Sequence, residues 1–584
     1  MLANDNHQPY ISVVVAARND DHGGNMLGRM QAFLDSWIGQ AKRYNIPSEI
    51  VVVEWNPPEQ RPRLQPSLRY PADMRPCAVR FIEVSREIHN SLPHPLAIPL
   101  HQMIAKNVGI RRARGEHILV SNLDIIFSSE LMEFLASRPL KRGVVYRMDR
   151  YDIASDIPTT DNVDELLAFC RANQLRIFAR EGVWELHGDR CRPVDNKDIL
   201  SPDSGIRLGY GWYGLEAYDE LRMRYTEPEA EIVFDRPVNA SPRMIFDVEA
   251  GPSAHDGWVK IEILDPEEHS VLTSTIVTGR VKLRLSLPPG QRKGRFVMRV
   301  LNGGISLVKE PRALDLRVFR IAWSNVASSG AVRCETAAQE AGTAVTKEFN
   351  VEIAPDKGYV LDTLDVILTD TKGHTVTFAA EPSELDVFGK SPEYRITLHA
   401  GFRPEFVAEY YNPNRTNPLN ASAPGWRLEV VDRIPGVDWS RLRQTPNPFA
   451  TLIRRSAYLH TNGCGDFTAM SREDWFNLRA YPEFPIWPMH VDSLLCYAAY
   501  HAGMEEEILR EPMQIFHIQH FSGAGWTPEG QDELDARVAR KKVPTILYEE
   551  LLEYIDQMRR FDTPIIFAPA NWGLADRELP ESVV

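Results

Sequence analysis

Three short stretches are apolar without alternation: Ile-Ser-Val-Val-Val-Ala-Ala at 11–17, Ile-Val-Val-Val at 50–53 and Ile-Leu-Val at 118–120. A strand with one wet face alternates polar and apolar residues, so runs of this kind belong to a parallel sheet covered on both faces. Each run ends in polar residues. The first breaks into Arg18-Asn19-Asp20-Asp21-His22-Gly23-Gly24, the second presents Glu54 before Asn56-Pro57-Pro58, and the third passes into Asn122-Leu123-Asp124. Ligands of open α/β sheets bind beyond the carboxyl ends of the strands, so these three ends are candidate binding positions.

The intervening segments fit that class. Residues 25–43 have helical spacing, with Met26, Met30, Phe33, Leu34, Trp37 and Ile38 on one face. Residues 81–84 read as a third strand, and 99–114, carrying Lys106, as a helix that delivers the chain to the strand before Asn122. A carboxylate such as Asp124 can hold Mg²⁺ or Mn²⁺ against a diphosphate, because hard cations take oxygen ligands and share them with phosphate. Glu54 is placed to accept from ribose hydroxyls or a base edge. Taken alone, each is equally a strand end: Asn122 and Asp124 making local hydrogen bonds in a turn, Glu54 facing solvent.

Bulk properties narrow the class. A chain of 584 residues is too long for one core, and two to four domains are expected. A net charge of −14 offers no basic face for nucleic acid. The six cysteines contain no CxxC pair and read as reduced, buried thiols. The polar start lacks a signal-like apolar region and no window approaches about 18 apolar residues. The expectation is a cytoplasmic protein without a transmembrane segment, with peripheral membrane contact and homo-oligomerisation left open.

From about residue 190 the pattern changes to short alternating runs separated by turn residues, such as Val-Lys-Leu-Arg-Leu-Ser-Leu at 281–287, which predicts a β-sandwich. Trp212, Tyr213 and Trp258 are its candidate glycan-contacting rings, or else core residues. The α/β character returns near the end. Gly463 and Gly465 flank a turn leading to Asp466, and Trp487 and His490 precede Asp492 at the start of a helix ended by Gly503. Asp492 there is favoured in its ionised form by the helix dipole, or is a plain first-turn aspartate. His517 and His520 stand at i and i+3 of a strand-like run, a spacing that points them to opposite faces. The Gly-bearing segment with Trp526 can fold over a ligand. The division expected is 1–195 for the first half of an α/β domain, 196–400 for an inserted all-β sandwich, 401–530 for the second α/β half, and 531–584 for a C-terminal helix and tail.

The combination of SVVVAARND, EIVVVEWN, AKNVGIRRARGEHILVSNLD and a late acidic and histidine-bearing half resembles the family 2-like glycosyltransferases of GT-A fold, over about residues 10–155 and 446–530. The resemblance implies a Rossmann-like nucleotide-diphospho-sugar transferase domain, here split by the β insertion. It implies a nucleoside held by Ala17, Arg18 and Glu54, with Lys106, Asn122 and Trp526 also on the donor side. It places the divalent cation, Mn²⁺ or Mg²⁺, on Asp124 with His517 or His520. It makes Asp492 the base that deprotonates an acceptor hydroxyl with inversion, and sets Asp466, Trp487 and His490 on the acceptor side. The donor implied is a nucleotide-diphosphate sugar, and the acceptor a saccharide or lipid-linked saccharide of bacterial surface polysaccharide or glycoconjugate synthesis. Two positions depart from the family: Glu54 stands for the usual Asp, and Asn122 for the first Asp of Asp-x-Asp. Asn brings no charge.

Two other functions stay open on the sequence. A sugar nucleotidyltransferase needs a basic GxGxR-type loop, which residues 18–24 do not form. A non-catalytic glycan-binding protein on the same scaffold is kept open by Asn122.

Overall fold

The structure, a computed structural model, describes residues 8–584 apart from 188–189, 195–197, 202, 219–220, 239, 255–256, 289, 304–311, 325–329, 339–345, 356–359, 370–374, 380–392, 400–402, 412–424, 435–457, 521–535 and 537. The unalternated apolar runs are the centre of an eight-stranded sheet. β1 (Ile11–Ala17), β2 (Ser48–Trp55), β3 (Cys77–Val84) and β4 (His117–Val120) are parallel, with β1 between β2 and β4 and β3 outside β2. Every residue of β1 and β2 is buried. The helix α1 (Met26–Arg43) buries Met26, Met30, Phe33, Leu34, Trp37 and Ile38 in one core cluster with the inward residues of β1 and β2, while the helix Gln102–Arg112 belongs to the cluster on the other face. That two-sided cover is why these strands need no polar alternation.

Beyond β4 the chain crosses to a second sheet. β5 (Ile125–Phe127) and β7 (Arg150–Ile153) lie there, whereas β6 (Val144–Met148) remains in the large sheet. The late segment repeats the crossing: Glu505–Leu509 pairs parallel to β6, and Ile515–Ile518 pairs with both β5 and β7. Thr468–Ser471 fits antiparallel between β4 and β6. Two halves of the sequence about three hundred residues apart thus share both sheets, and three crossings meet at their junction.

The β-rich middle has two parts. Five- and six-stranded antiparallel sheets enclose a core including Phe246, Ile261, Leu283 and Phe296. The strand Arg280–Ser286 alternates buried and half-buried residues, as its period of two requires. Two three-stranded sheets spanning 330–411 follow in sequence, after which Arg427–Ile434 returns to pair with Arg280–Ser286. The second β unit is therefore nested inside the first. A boundary at 400 does not hold: Arg403–Tyr411 and Arg427–Ile434 are strands of the β units, and the described α/β part resumes at 458. Trp212 and Tyr213 are buried, so their rings are core residues and no glycan platform; Trp258 is partly buried.

The last residues are also not a free tail. Glu581–Val583 pairs antiparallel with β3, and the buried Arg80 guanidinium joins Glu581 at 2.7 Å to Glu49 at 2.8 Å. Deleting residues 580–584 removes an edge strand and one of the two carboxylate partners of a buried cation, which keeps Glu49 and the Arg112 carbonyl. The expected result is a loss of about 2 kcal/mol in urea unfolding. An unchanged midpoint would show that the edge strand contributes nothing.

Candidate functional site

The junction of the two sheets is polar because each crossing leaves the hydrogen-bonded ladder. β4 ends at Val120 and β5 begins at Ile125, so Asn122 and Asp124 lie in a turn between sheets, not on one continued strand. They take different partners. Asp124, buried, pairs through Oδ2 with Arg29 Nη1 at 2.5 Å, His520 Nε2 at 3.4 Å and His517 Nε2 at 3.9 Å. The opposite-face expectation for the histidines fails for a local reason: the strand ends at Ile518, and the chain then turns His520 to the side of His517. Asp124, His517 and His520 each bring one ligand atom within 4.8 Å of the others. Two imidazoles and a carboxylate suit Mn²⁺ better than Mg²⁺, which prefers oxygen alone.

The surroundings orient these groups. His517 Nδ1 lies 3.0 Å from Asp152 Oδ1, which fixes the tautomer that leaves Nε2 facing Asp124. Burial would raise the Asp124 pKa, but His517, His520 and Arg29 outweigh it and hold the carboxyl well below the usual range. Burial opposes charge on His517 too, and Asp152 and Asp124 outweigh it, raising its pKa above the ordinary histidine value. A Cβ on Gly23, whose φ is +77°, would meet His520 Nδ1 at 2.5 Å, so the loop after β1 closes on the cluster only with glycine there.

Asn122 belongs to a second group. Its Nδ2 donates to Asp466 Oδ1 at 2.6 Å, and its Oδ1 accepts from Gln102 Nε2 at 3.1 Å. Beside it the buried Lys106 donates to the Gly465 carbonyl at 2.7 Å. Burial pulls the Lys106 pKa down against the opposing pull of Asp466, Asp492 and, more weakly, Asp124. Carboxylates from both halves of the sequence therefore surround one ammonium. Asp492 is at the start of the helix Val491–His501, and a Cβ on Gly465 would lie 3.2 Å from its Oδ2 and 3.9 Å from Lys106 Nζ. Glycine at 465 keeps the space between them open.

The remaining predicted residues spread outward. Ala17 and Glu54 are register partners at the ends of β1 and β2. Arg18 donates to the Asn56 carbonyl and pairs with Asp20, and both Glu54 oxygens accept from the Leu64 amide. Trp487 and His490 face the C-terminal segment: the indole lies 4.8 Å from Lys541 Nζ, and the His490 ring 5.9 Å from Tyr548. Neither belongs to the Asp124 cluster. Trp526 lies outside the described residues.

Burial pushes the Glu54 carboxyl up to about 7 from an ordinary 4.5, although the Leu64 amide works against it. Between those values the unfolded chain has lost the proton and the folded chain retains it, so this group makes stability fall as pH rises through the window. The loss is on the order of 3 kcal/mol at its full extent. Glu54→Gln is expected to remove that part of the decline, measured as urea midpoints at pH 5 and pH 8. Parallel declines in both proteins would rule Glu54 out as the source.

Sequence reasoning missed Arg29, and it read Asp149-Arg150-Tyr151-Asp152 either as a strand with polar groups near the donor or, more simply, as a surface ion-pair cluster, without giving Arg150 or Asp152 a place in the site. Arg29 carried a signal, since it sits on the buried stripe of α1 between Met26 and Phe33, where a charge needs a partner. Arg150 and Asp152 alternate on β7 toward the cluster while Tyr151 faces the other way, into a cavity of about 530 Å³ between the small sheet and the β domain, also lined by Arg207, Phe234 and Glu511.

No family model matches the chain, and no curated protein does. Among solved structures, TarS of S. aureus is similar with a TM-score of 0.19 and 8% identity over 67% of this chain and 96% of that one. The N-terminal CBM22-1-CBM22-2 tandem domain of Paenibacillus barcinonensis Xyn10C scores 0.14 with 9% identity, covering 39% and 94%. Scores this low decide neither fold nor activity.

Proposed function

We propose that the chain is a metal-dependent glycosyltransferase of GT-A type that moves a sugar from a nucleotide-diphosphate donor to an acceptor hydroxyl. The observation that carries this reading is the convergence of Asp124, His517 and His520 within 4.8 Å, at the strand ends where α/β sheets take ligands. The sequence resemblance to family 2-like enzymes supports it. When bound, Mn²⁺ neutralises charge on the leaving diphosphate.

The chain's own groups supply the rest. Glu54, Ala17 and Arg18 line the strand ends that would receive the nucleoside. Asp492 accepts the proton of the acceptor hydroxyl, which attacks the anomeric carbon from the face opposite the diphosphate. One displacement with one base gives inversion. Lys106, buried, lies close to both Asp492 and Asp466 and sets its positive charge against the two carboxylates. Trp487, His490 and Asp466 lie toward the acceptor side. The β units set a larger acceptor, a saccharide or lipid-linked saccharide, against this centre. No described helix is long and apolar enough to cross a membrane.

The test is a nucleotide-release screen over UDP-, GDP- and dTDP-sugars, with CMP-sugars as a control, in Mn²⁺ and in chelator. Metal-dependent release from one diphosphate donor is expected. Release of pyrophosphate from a nucleoside triphosphate and a sugar phosphate would instead establish a nucleotidyltransferase. No donor turnover, together with no metal-dependent nucleotide affinity, would leave a glycan-binding protein.

A further inference from the structure

The residue at 122 is the one place where the candidate metal motif departs from two carboxylates, and its hydrogen bonds give a reason. From Gln102 a single line of polar groups runs to the candidate metal ligand. Gln102 donates to Asn122, and Asn122 donates to Asp466 Oδ1 at 2.6 Å. Arg150 Nη1 donates to the other oxygen, Asp466 Oδ2, at 2.8 Å. The same guanidinium is ion-paired through Nε with Asp152 Oδ1 at 2.9 Å, and that oxygen faces His517 Nδ1 at 3.0 Å. Donors face acceptors along the line, the Arg150–Asp152 step being an ion pair whose hydrogen bond, from Nη2 to Asp152 Oδ2, is 3.5 Å long. Arg150, Asp152 and Asp466 are almost wholly buried, with side-chain exposures of 12%, 5% and 6%, so each group depends on its neighbours for compensation.

An Asp at 122 breaks this order. It would set a carboxylate against Asp466 at hydrogen-bond distance, where two like charges cannot both stay ionised and bonded. We infer that Asn122 is a positioning residue, required as an amide because it seats Asp466, and that Asp466 acts through Arg150 and Asp152 to hold the His517 ring with Nε2 toward Asp124. On this account position 122 is no vacated metal ligand. The missing first carboxylate of the motif has been exchanged for an amide–carboxylate pair shared between the two halves of the sequence. The inference rests on the metal reading proposed above.

Titration of the full-length protein with Mn²⁺, followed by EPR of the free ion, separates the possibilities without any need for turnover. Wild type and His517→Ala test the metal site itself. If wild type binds no Mn²⁺, or His517→Ala binds as tightly, the metal reading fails and this inference goes with it. If both behave as expected, Asn122→Asp decides. Its affinity is expected to drop by roughly tenfold, within the range that outer-shell changes cost. The swap N122D/D466N, which restores one amide and one carboxylate in reversed order, is expected to return within about threefold of wild type. A merely structural role would not give recovery of metal affinity by a second substitution at 466. Binding by Asn122→Asp as tight as wild type or tighter, or no recovery in the swap, overturns the inference. Should Asn122→Asp fail to fold, Asn122→Ala removes the donor without adding charge, and unchanged Mn²⁺ affinity there is equally fatal.

Discussion

Asp124→Asn is expected to abolish Mn²⁺-dependent donor turnover, by a factor of about 10²–10³, the cost of removing one group that stabilises transition-state charge. The substitution keeps the shape and an acceptor for Arg29, but removes the charge that Arg29, His517 and His520 all face. Stability must be measured beside activity, because a buried guanidinium left without its counter-charge costs about 3 kcal/mol. Metal linkage tells the two effects apart. At a Mn²⁺ concentration one hundred times Kd the wild type should gain about 2.7 kcal/mol, read as a rise in unfolding midpoint over a chelator control. The variant should gain nothing. A variant that is merely less stable yet still gains from Mn²⁺ would move the ligand role away from Asp124.

Asp492→Asn is the complementary case. Transfer should fall by about 10²–10⁴, the usual range for loss of a general base, while Mn²⁺ affinity changes less than about twofold. The geometry supports that split. Asp492 lies across Lys106 and Gly465 from Asp466, outside the Asp124, His517 and His520 cluster. Lys106 retains its hydrogen bond to Gly465 and its attraction to Asp466, so the buried ammonium is not left uncompensated. Hydrolysis of donor by water in the absence of acceptor should be less affected than transfer. Transfer at the wild-type rate would remove Asp492 from the role of base.

Much of this was legible in the chain because burial on both faces writes itself directly into sequence. The runs at 11–17 and 50–53 admitted one kind of strand, and the polar residues after them marked the strand ends. What could not be read was where strands stop. Alternation along a strand sent His517 and His520 to opposite faces, and that expectation failed because the ladder ends at Ile518, two residues before His520; β4 likewise stops at Val120, which leaves Asn122 and Asp124 in a turn. Pairing across the β insertion was invisible for another reason: nothing local in Asp466 or Arg150 announces a partner more than three hundred residues away. The β boundary at 400 erred because Arg427–Ile434 has ordinary strand composition and only its registry with Arg280–Ser286 reveals its owner.

The split of the large sheet has a consequence for synthesis. β4 leaves the ribosome about 350 residues ahead of Thr468–Ser471, the segment that covers its open edge. At roughly 5–20 residues per second that is about 20–70 s during which a buried strand, three of its four residues apolar, has one unpaired side. The nested β units are completed within that interval and can fold first. A chaperone requirement specific to this pause, relieved by supplying residues 458–584 in trans, is what such a chain order predicts for its biogenesis.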